Sequence, residues 1–403
     1  MSSNNEMCVP ESAPTITTNS NSLIVYLIAL GAFALGMASY VTAGLIPLIE
    51  QSFGVSVGVA AQLVTAFTLA YGIGSPIVVA LLPGNRQRNG LLAALGLFVL
   101  SNAASALSTD FYFLLAFRAL AGVGSGVYLA MGIAIAASLS SSARGKAIAI
   151  IMGGMAAGTV LGVPGGLVLA EKLGWASALW LVTLLGMIAF LGLAWRLPEL
   201  PSSDAVPLRK KLSLLVDGQV IVVLSVSLLA AIASLGMYTF LAPLMSSSEY
   251  GDVDSITPFL WVWGIGRVLG SFLVGPLADR VKGPQMTLAI MLILAISLAI
   301  LPVVASWNAW LAMVPIILWG AVGWALQVPQ NNQLIHVRES KGDGNLAVAL
   351  NESALYLGSA IGAAAGGMAL AMDLPIWALP VGAGAVAVIG AVLQCINVRR
   401  IGI

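Results

Sequence analysis

Twelve long stretches of this chain are almost free of charge, and no other feature restricts its fold as strongly. A helix needs about 20 apolar residues to cross the hydrocarbon core of a bilayer. Runs of that kind fall at 23–49, 57–82, 89–109, 112–138, 147–170 and 175–197, and again at 218–245, 257–278, 286–305, 308–334, 345–371 and 375–397. Only 8% of the 403 residues are charged, against roughly a quarter in a soluble domain, so the inventory cannot cover a water-facing surface. In lipid each span must satisfy its own backbone hydrogen bonds, which a helix does. The expectation is an all-α integral membrane protein with twelve transmembrane helices in two six-helix halves, 23–197 and 218–397. A polar connector at 198–217 joins the halves, with short tails at 1–22 and 398–403. The first tail is polar, has no Lys or Arg, and precedes an apolar run too long for a signal-peptide core; it reads as a disordered cytoplasmic segment.

Orientation follows from the cations, since Lys and Arg in short loops stay in the cytoplasm. Counting twelve spans puts Arg86, Arg88, Arg144, Lys146, Arg196, Arg209, Lys210, Lys211, Arg280, Lys282, Arg338, Lys341, Arg399 and Arg400 on one side. Lys172 alone stands on the other, among Glu50, Asp110, Glu171, Glu249, Asp252, Asp254 and Asp373. A missed span would have scrambled every later loop, so the sorting also tests the count. It places both termini of a multi-pass membrane protein in the cytoplasm, and a bacterial inner membrane is the expected location.

Several classes are disfavoured. A formal net charge of +1 provides no field to attract nucleic acid. The single histidine, His336, has no Cys or carboxylate cluster at ligand spacing, so no metal or other cofactor is expected. Cys8 and Cys395 form no disulfide framework. No nucleotide-binding loop and no nucleophile-plus-base arrangement is present, and the longest connector is too short to fold as a domain. A membrane-embedded enzyme or receptor is therefore a remote alternative to a carrier, and an intrinsic ATP-driven pump is excluded.

Weak internal repeats accompany the long connector. Leu35-Gly36-Met37 recurs as Leu235-Gly236-Met237, and Pro47-Leu48 as Pro243-Leu244, favouring two parallel halves with a substrate site between them near the midplane. The eighth span closes on Gly275-Pro276-Leu277-Ala278-Asp279-Arg280, the fourth carries Arg118, Gly122, Gly124 and Gly126, and the fifth carries Gly158, Gly162, Pro164, Gly165 and Gly166. Together these resemble the loop, fourth-helix and fifth-helix signatures of the major facilitator superfamily, particularly its twelve-helix drug:proton antiporters of the bacterial sugar, purine and chloramphenicol-type efflux branch. Gly36-Met37-Ala38, Gly44-Leu45-Ile46-Pro47 and Leu357-Gly358-Ser359-Ala360-Ile361-Gly362 support that branch. The resemblance covers residues 23 to 397 and implies a functional monomer that exports a small organic compound against protons by alternating access. An importer of a small metabolite on the same fold is the alternative. Two departures stand out. The first-half loop signature is reduced to Pro83-Gly84-Asn85-Arg86-Gln87-Arg88, and Ser39-Tyr40 stand where relatives often place an acid after Gly-Met-Ala.

Three charges fall well inside spans, Arg118, Arg267 and Glu352. A charge there costs about 2.5–3.5 kcal/mol on insertion scales and signals function. Glu352, the one deeply placed carboxylate, is the expected proton-binding group. The fourth-helix resemblance implies that Arg118 couples to the proton site or to substrate. Arg267 stands where an apolar residue is expected, so it is assigned to the substrate cavity with Tyr40, Tyr128, Tyr238, Trp263, Trp324, Gln327 and Tyr356. These aromatics and the amide are suited to stacking and hydrogen bonding. Gly122, Gly124, Gly162, Pro164, Gly166, Gly275, Asp279 and Arg280 are conformational elements. The glycine faces at 154, 158 and 162 and at 358, 362 and 366 are expected to let the halves slide. Trp307, Trp310 and Trp377 read as interfacial belt residues.

Overall fold

A computed structural model describes residues 18–81, 86–139, 144–198, 214–248, 253, 255–278, 280–338 and 344–401. Among the described residues, twelve helices are long and apolar enough to cross a membrane: α1 Ser22–Phe53, α2 Val57–Val79, α3 Gln87–Ala106, α4 Phe111–Ala136, α5 Lys146–Leu173, α6 Ala176–Arg196, α7 Gly218–Gly236, α8 Thr257–Val274, α9 Gly283–Trp307, α10 Ala309–Arg338, α11 Ala347–Ala371 and α12 Ala378–Arg400. The first helix already runs from Thr18, so the last residues of the expected tail are helical. Asp279, residues 82–85 of the first-half loop signature and 199–213 of the connector lie outside the described residues.

Three helices contain a π-helical turn, at Ala70–Gly74, Gly158–Gly162 and Ile232–Gly236. The second precedes Pro164 by one residue. Proline cannot donate to the carbonyl four residues back, and the widened turn absorbs that gap without ending the helix. Beyond the third, the chain turns at Thr239-Phe240 and resumes as the short helix Leu241–Met245.

The internal repeats have a packing meaning. A Cβ on Gly36 would overlap the Met155 carbonyl of α5, and one on Gly236 would overlap Gly362 of α11. Each Leu-Gly-Met therefore brings the first helix of its half against the fifth. Gly154 and Gly158 extend the α5 contact along the carbonyls of Ala29 and Phe33, and Gly358 and Gly362 extend the α11 contact along Leu228 and Ile232. This corrects the expectation that these faces slide between halves, because both lie inside one. Carbonyl-to-glycine contact admits no side chain, which fixes the register of each pair.

The halves meet elsewhere. Helix α2 lies along α11, with Gly58 against the Gly367 carbonyl and Gly72 against Ser353 and Leu357. Helix α5 meets α8, and α1 meets Leu241–Met245. These contacts occupy the end bearing Glu50, Asp110 and Glu171 and continue to mid-depth, whereas the end bearing Arg88, Arg196, Arg280 and Arg338 has no comparable packing between halves among the described residues. At the sealed end Glu171 of α5 accepts hydrogen bonds from Ser255 (2.8 Å) and Thr257 (2.9 Å) at the start of α8. Trp307, Trp310 and Trp377 are exposed near the same end.

Candidate functional site

At mid-depth, α1, α2, α7 with its extension, and α11 enclose a cavity lined by Ser39, Tyr40, Thr68, Tyr238, Thr239, Tyr356 and Ser359, with room for about one water molecule. Both halves contribute to this lining. The Thr239 and Tyr356 hydroxyls are buried without a hydrogen-bond partner. Leaving a buried polar group unpaired costs about 1–3 kcal/mol, so such groups mark a place where something else is bound.

One wall is aromatic. The Tyr40 ring meets Tyr238 edge-on at 5.5 Å and Trp263 at 5.9 Å, and Tyr238 lies 4.1 Å from Trp263. Against this wall stands Arg267 of α8, 3% exposed, its guanidinium carbon 3.8 Å from the Trp324 ring centre, 4.7 Å from Tyr40 and 4.8 Å from Trp263. It makes no ion pair among the described residues, and Nη1 is buried with no acceptor, as is the indole Nε1 of Trp263. A desolvated cation–π contact supplies about 2 kcal/mol. That does not match the several hydrogen bonds a guanidinium can donate.

Arg118 is placed differently. Its Nη2 donates to the Ala38 carbonyl of α1 at 2.8 Å and Nη1 to Asn102 Oδ1 of α3 at 3.3 Å, while the group stacks 4.5 Å above Phe67 of α2. It ties four helices of the first half together. Gly122 and Gly124 allow this by bringing α4 against Phe67 and Ala94 backbone.

Glu352 lies near the basic end of α11 and is half-buried. It makes no ion pair among the described residues, with Arg118 or any other cation. One helical turn onward, Tyr356 stacks on Tyr71 of α2, ring centres 3.5 Å apart. The tyrosine pair thus stands between Glu352 and the cavity.

Of the residues expected in the cavity, Tyr40, Tyr238 and Tyr356 line it, and Trp263, Trp324 and Arg267 form the adjoining cage. Tyr128 does not join them. Its ring is fully buried against Gly31 of α1, and its hydroxyl donates to the Ile28 carbonyl at 3.1 Å, inside the first half. Gln327 is half-buried on α10 and is not among the lining residues. Gly162 and Gly166 pack on Met37, and Arg280 is exposed. Residue types alone did not flag Tyr71, Asn102, Thr239 or the Glu171 contact. Tyr71 had one available signal, its place in Ala-Tyr-Gly-Ile-Gly, where paired glycines accompany a widened turn of the sort that recurs at functional sites.

The comparisons with known proteins agree with this architecture. The inner membrane transport protein YdhP of Escherichia coli K12 is 29% identical over 374 residues, covering 93% of this chain and 95% of that protein. A chloramphenicol resistance protein of Streptomyces lividans is 32% identical over 264 residues, covering 64% of this chain and 67% of that one. The crystal structure of a bacterial homologue of the human lysosomal transporter Spinster, inward-facing and occupied, superposes with a TM-score of 0.73 at 16% identity, covering 95% of this chain and 98% of that one. The Major Facilitator Superfamily profile matches residues 28–363. With twelve helices in two halves and a polar cavity between them, the chain is a member of the major facilitator superfamily and a secondary transporter.

Proposed function

We propose that the protein is a proton-coupled exporter of a small organic compound across the bacterial inner membrane. The observation that carries this reading is Glu352: a membrane-embedded carboxylate that makes no ion pair among the described residues, separated from the cavity by the stacked Tyr71–Tyr356 pair. A group so placed can exchange a proton with one aqueous side while its charge acts on the cavity, which is the linkage an antiporter needs. With the cation-rich end cytoplasmic, the sealed end is periplasmic, and this conformation is closed on the side to which an exporter releases its substrate. Export is supported by the fifth-helix signature and by the chloramphenicol resistance protein among the relatives.

Purified protein in liposomes carrying an internal pH dye is the test, with antibiotic, sugar, purine and amino-acid compounds offered under an imposed proton gradient. At least one compound is expected to drive proton movement in the wild type, and Glu352→Gln is expected to abolish it while leaving binding within threefold. Proton movement that persists in the variant removes Glu352 from coupling. Accumulation instead of loss of the compound by expressing cells overturns export.

A further inference from the structure

Arg267 is a cation with aromatic company and no anion. Its guanidinium is enclosed by Tyr40, Trp263 and Trp324, Nη1 is buried without an acceptor, and Trp263 Nε1 is a second buried donor left open beside it. No described carboxylate pairs with it, whereas Arg338, the arginine that does find one, holds Asp217 at 2.8 Å. The rings that cage Arg267 continue directly into the cavity through Tyr40 and Tyr238. A planar, five-donor fork of this kind matches a carboxylate two-fold, and flat aromatic walls match a flat ring.

We infer that Arg267 is the anion receptor of the cavity, and that the transported compound is an aromatic or similarly planar molecule bearing a single carboxylate or comparable anionic group. Once the cavity, here closed down to about one water molecule, has widened, the anionic group accepts from Arg267 and from the Trp263 indole N–H, and the ring lies against Tyr40 and Tyr238. The assignment rests on the proposed carrier function for the location of the substrate, but it concerns recognition and is tested without any proton flux.

The test is binding to the purified full-length chain, followed by tryptophan fluorescence and thermal shift, with three probes of one shape: 1-naphthoate, 1-naphthamide and 1-naphthylmethylammonium. The wild type is expected to bind 1-naphthoate at least tenfold more tightly than either of the others. Arg267→Gln is expected to erase that preference by weakening 1-naphthoate at least tenfold with little change for the amide, and Arg267→Lys to restore part of it. Equal binding of all three probes, no binding of 1-naphthoate, or an unchanged preference in Arg267→Gln overturns the proposal. A folded Arg267→Lys that keeps the anion preference guards against reading a collapsed glutamine variant as support. Anion-selective binding without coupled proton movement would sink the antiport reading and leave this one standing.

Discussion

Arg118 and Arg267 carry the same charge at similar depth, one in each half, and their surroundings are opposite. Arg118 is bonded to the Ala38 carbonyl and to Asn102 and is roofed by Phe67, every neighbour belonging to the first half. Each guanidinium keeps one buried nitrogen without an acceptor, Nε of Arg118 and Nη1 of Arg267, but Arg267 has rings around it where Arg118 has a carbonyl and an amide oxygen. Cations inside a membrane are expensive in either case. What differs is whether the fold already supplies the acceptors, and that separates an arginine that builds a half from one that waits for a ligand.

The sharpest way to break this contrast is to replace each arginine by methionine and follow thermal unfolding. Arg118→Met is expected to lower stability by about 1.5–3 kcal/mol, the scale of hydrogen bonds to a charged group. Arg267→Met gives up cation–π contacts worth about 2 kcal/mol but also removes the cost of a desolvated cation, and is expected to lower the melting temperature less than Arg118→Met. Equal losses would erase the distinction. A smaller effect is expected from Asn102→Ala, which removes one long bond to Arg118 and should cost about 1 kcal/mol, with transport reduced less than by loss of the arginine itself.

Arg338 supplies the third and smallest case, an arginine with a proper carboxylate. Burial alone would push the Asp217 carboxyl up, but the hydrogen bond from Arg338 and the backbone N–H groups of Gln219 and Val220 hold it below the ordinary carboxylate value. A carboxyl lowered by folding stabilises fully above its unfolded value of about 4 and less as pH falls through the folded one. Acidification below about pH 4 is therefore expected to lower the melting temperature, and Asp217→Asn to flatten that part of the pH profile. For a partly exposed pair the whole effect should stay near 1 kcal/mol or less.

The spans, their number and the sidedness of the charges were legible in the sequence because length, apolarity and cation placement each leave a one-dimensional trace. Helix faces were not. In a membrane both the lipid side and the protein side of a helix are apolar, so periodicity barely distinguishes them, and Tyr128 looked no different from Tyr40 or Tyr238 until Gly31 and the Ile28 carbonyl were seen to take it into the first half. The glycine faces were visible as spacing but not as partners, which is why contacts within halves passed for contacts between them. Arg267 was legible as an oddity, while its cage is assembled from α1, α8 and α10 and exists only in three dimensions.

Among the described residues, the hydrogen bonds that latch the acidic end are two hydroxyls on one carboxylate, Ser255 and Thr257 on Glu171, beside the packing of Gly58 on Gly367. Each of those two hydrogen bonds to an exposed carboxylate can be exchanged for water at a net cost of about 1.5 kcal/mol, and neither requires separating opposite charges. Closure of this kind is a shallow well, nearly indifferent to ionic strength. A carrier must spend comparable time open to each side, and a latch this weak keeps its two states close in energy so that a single bound molecule can decide between them.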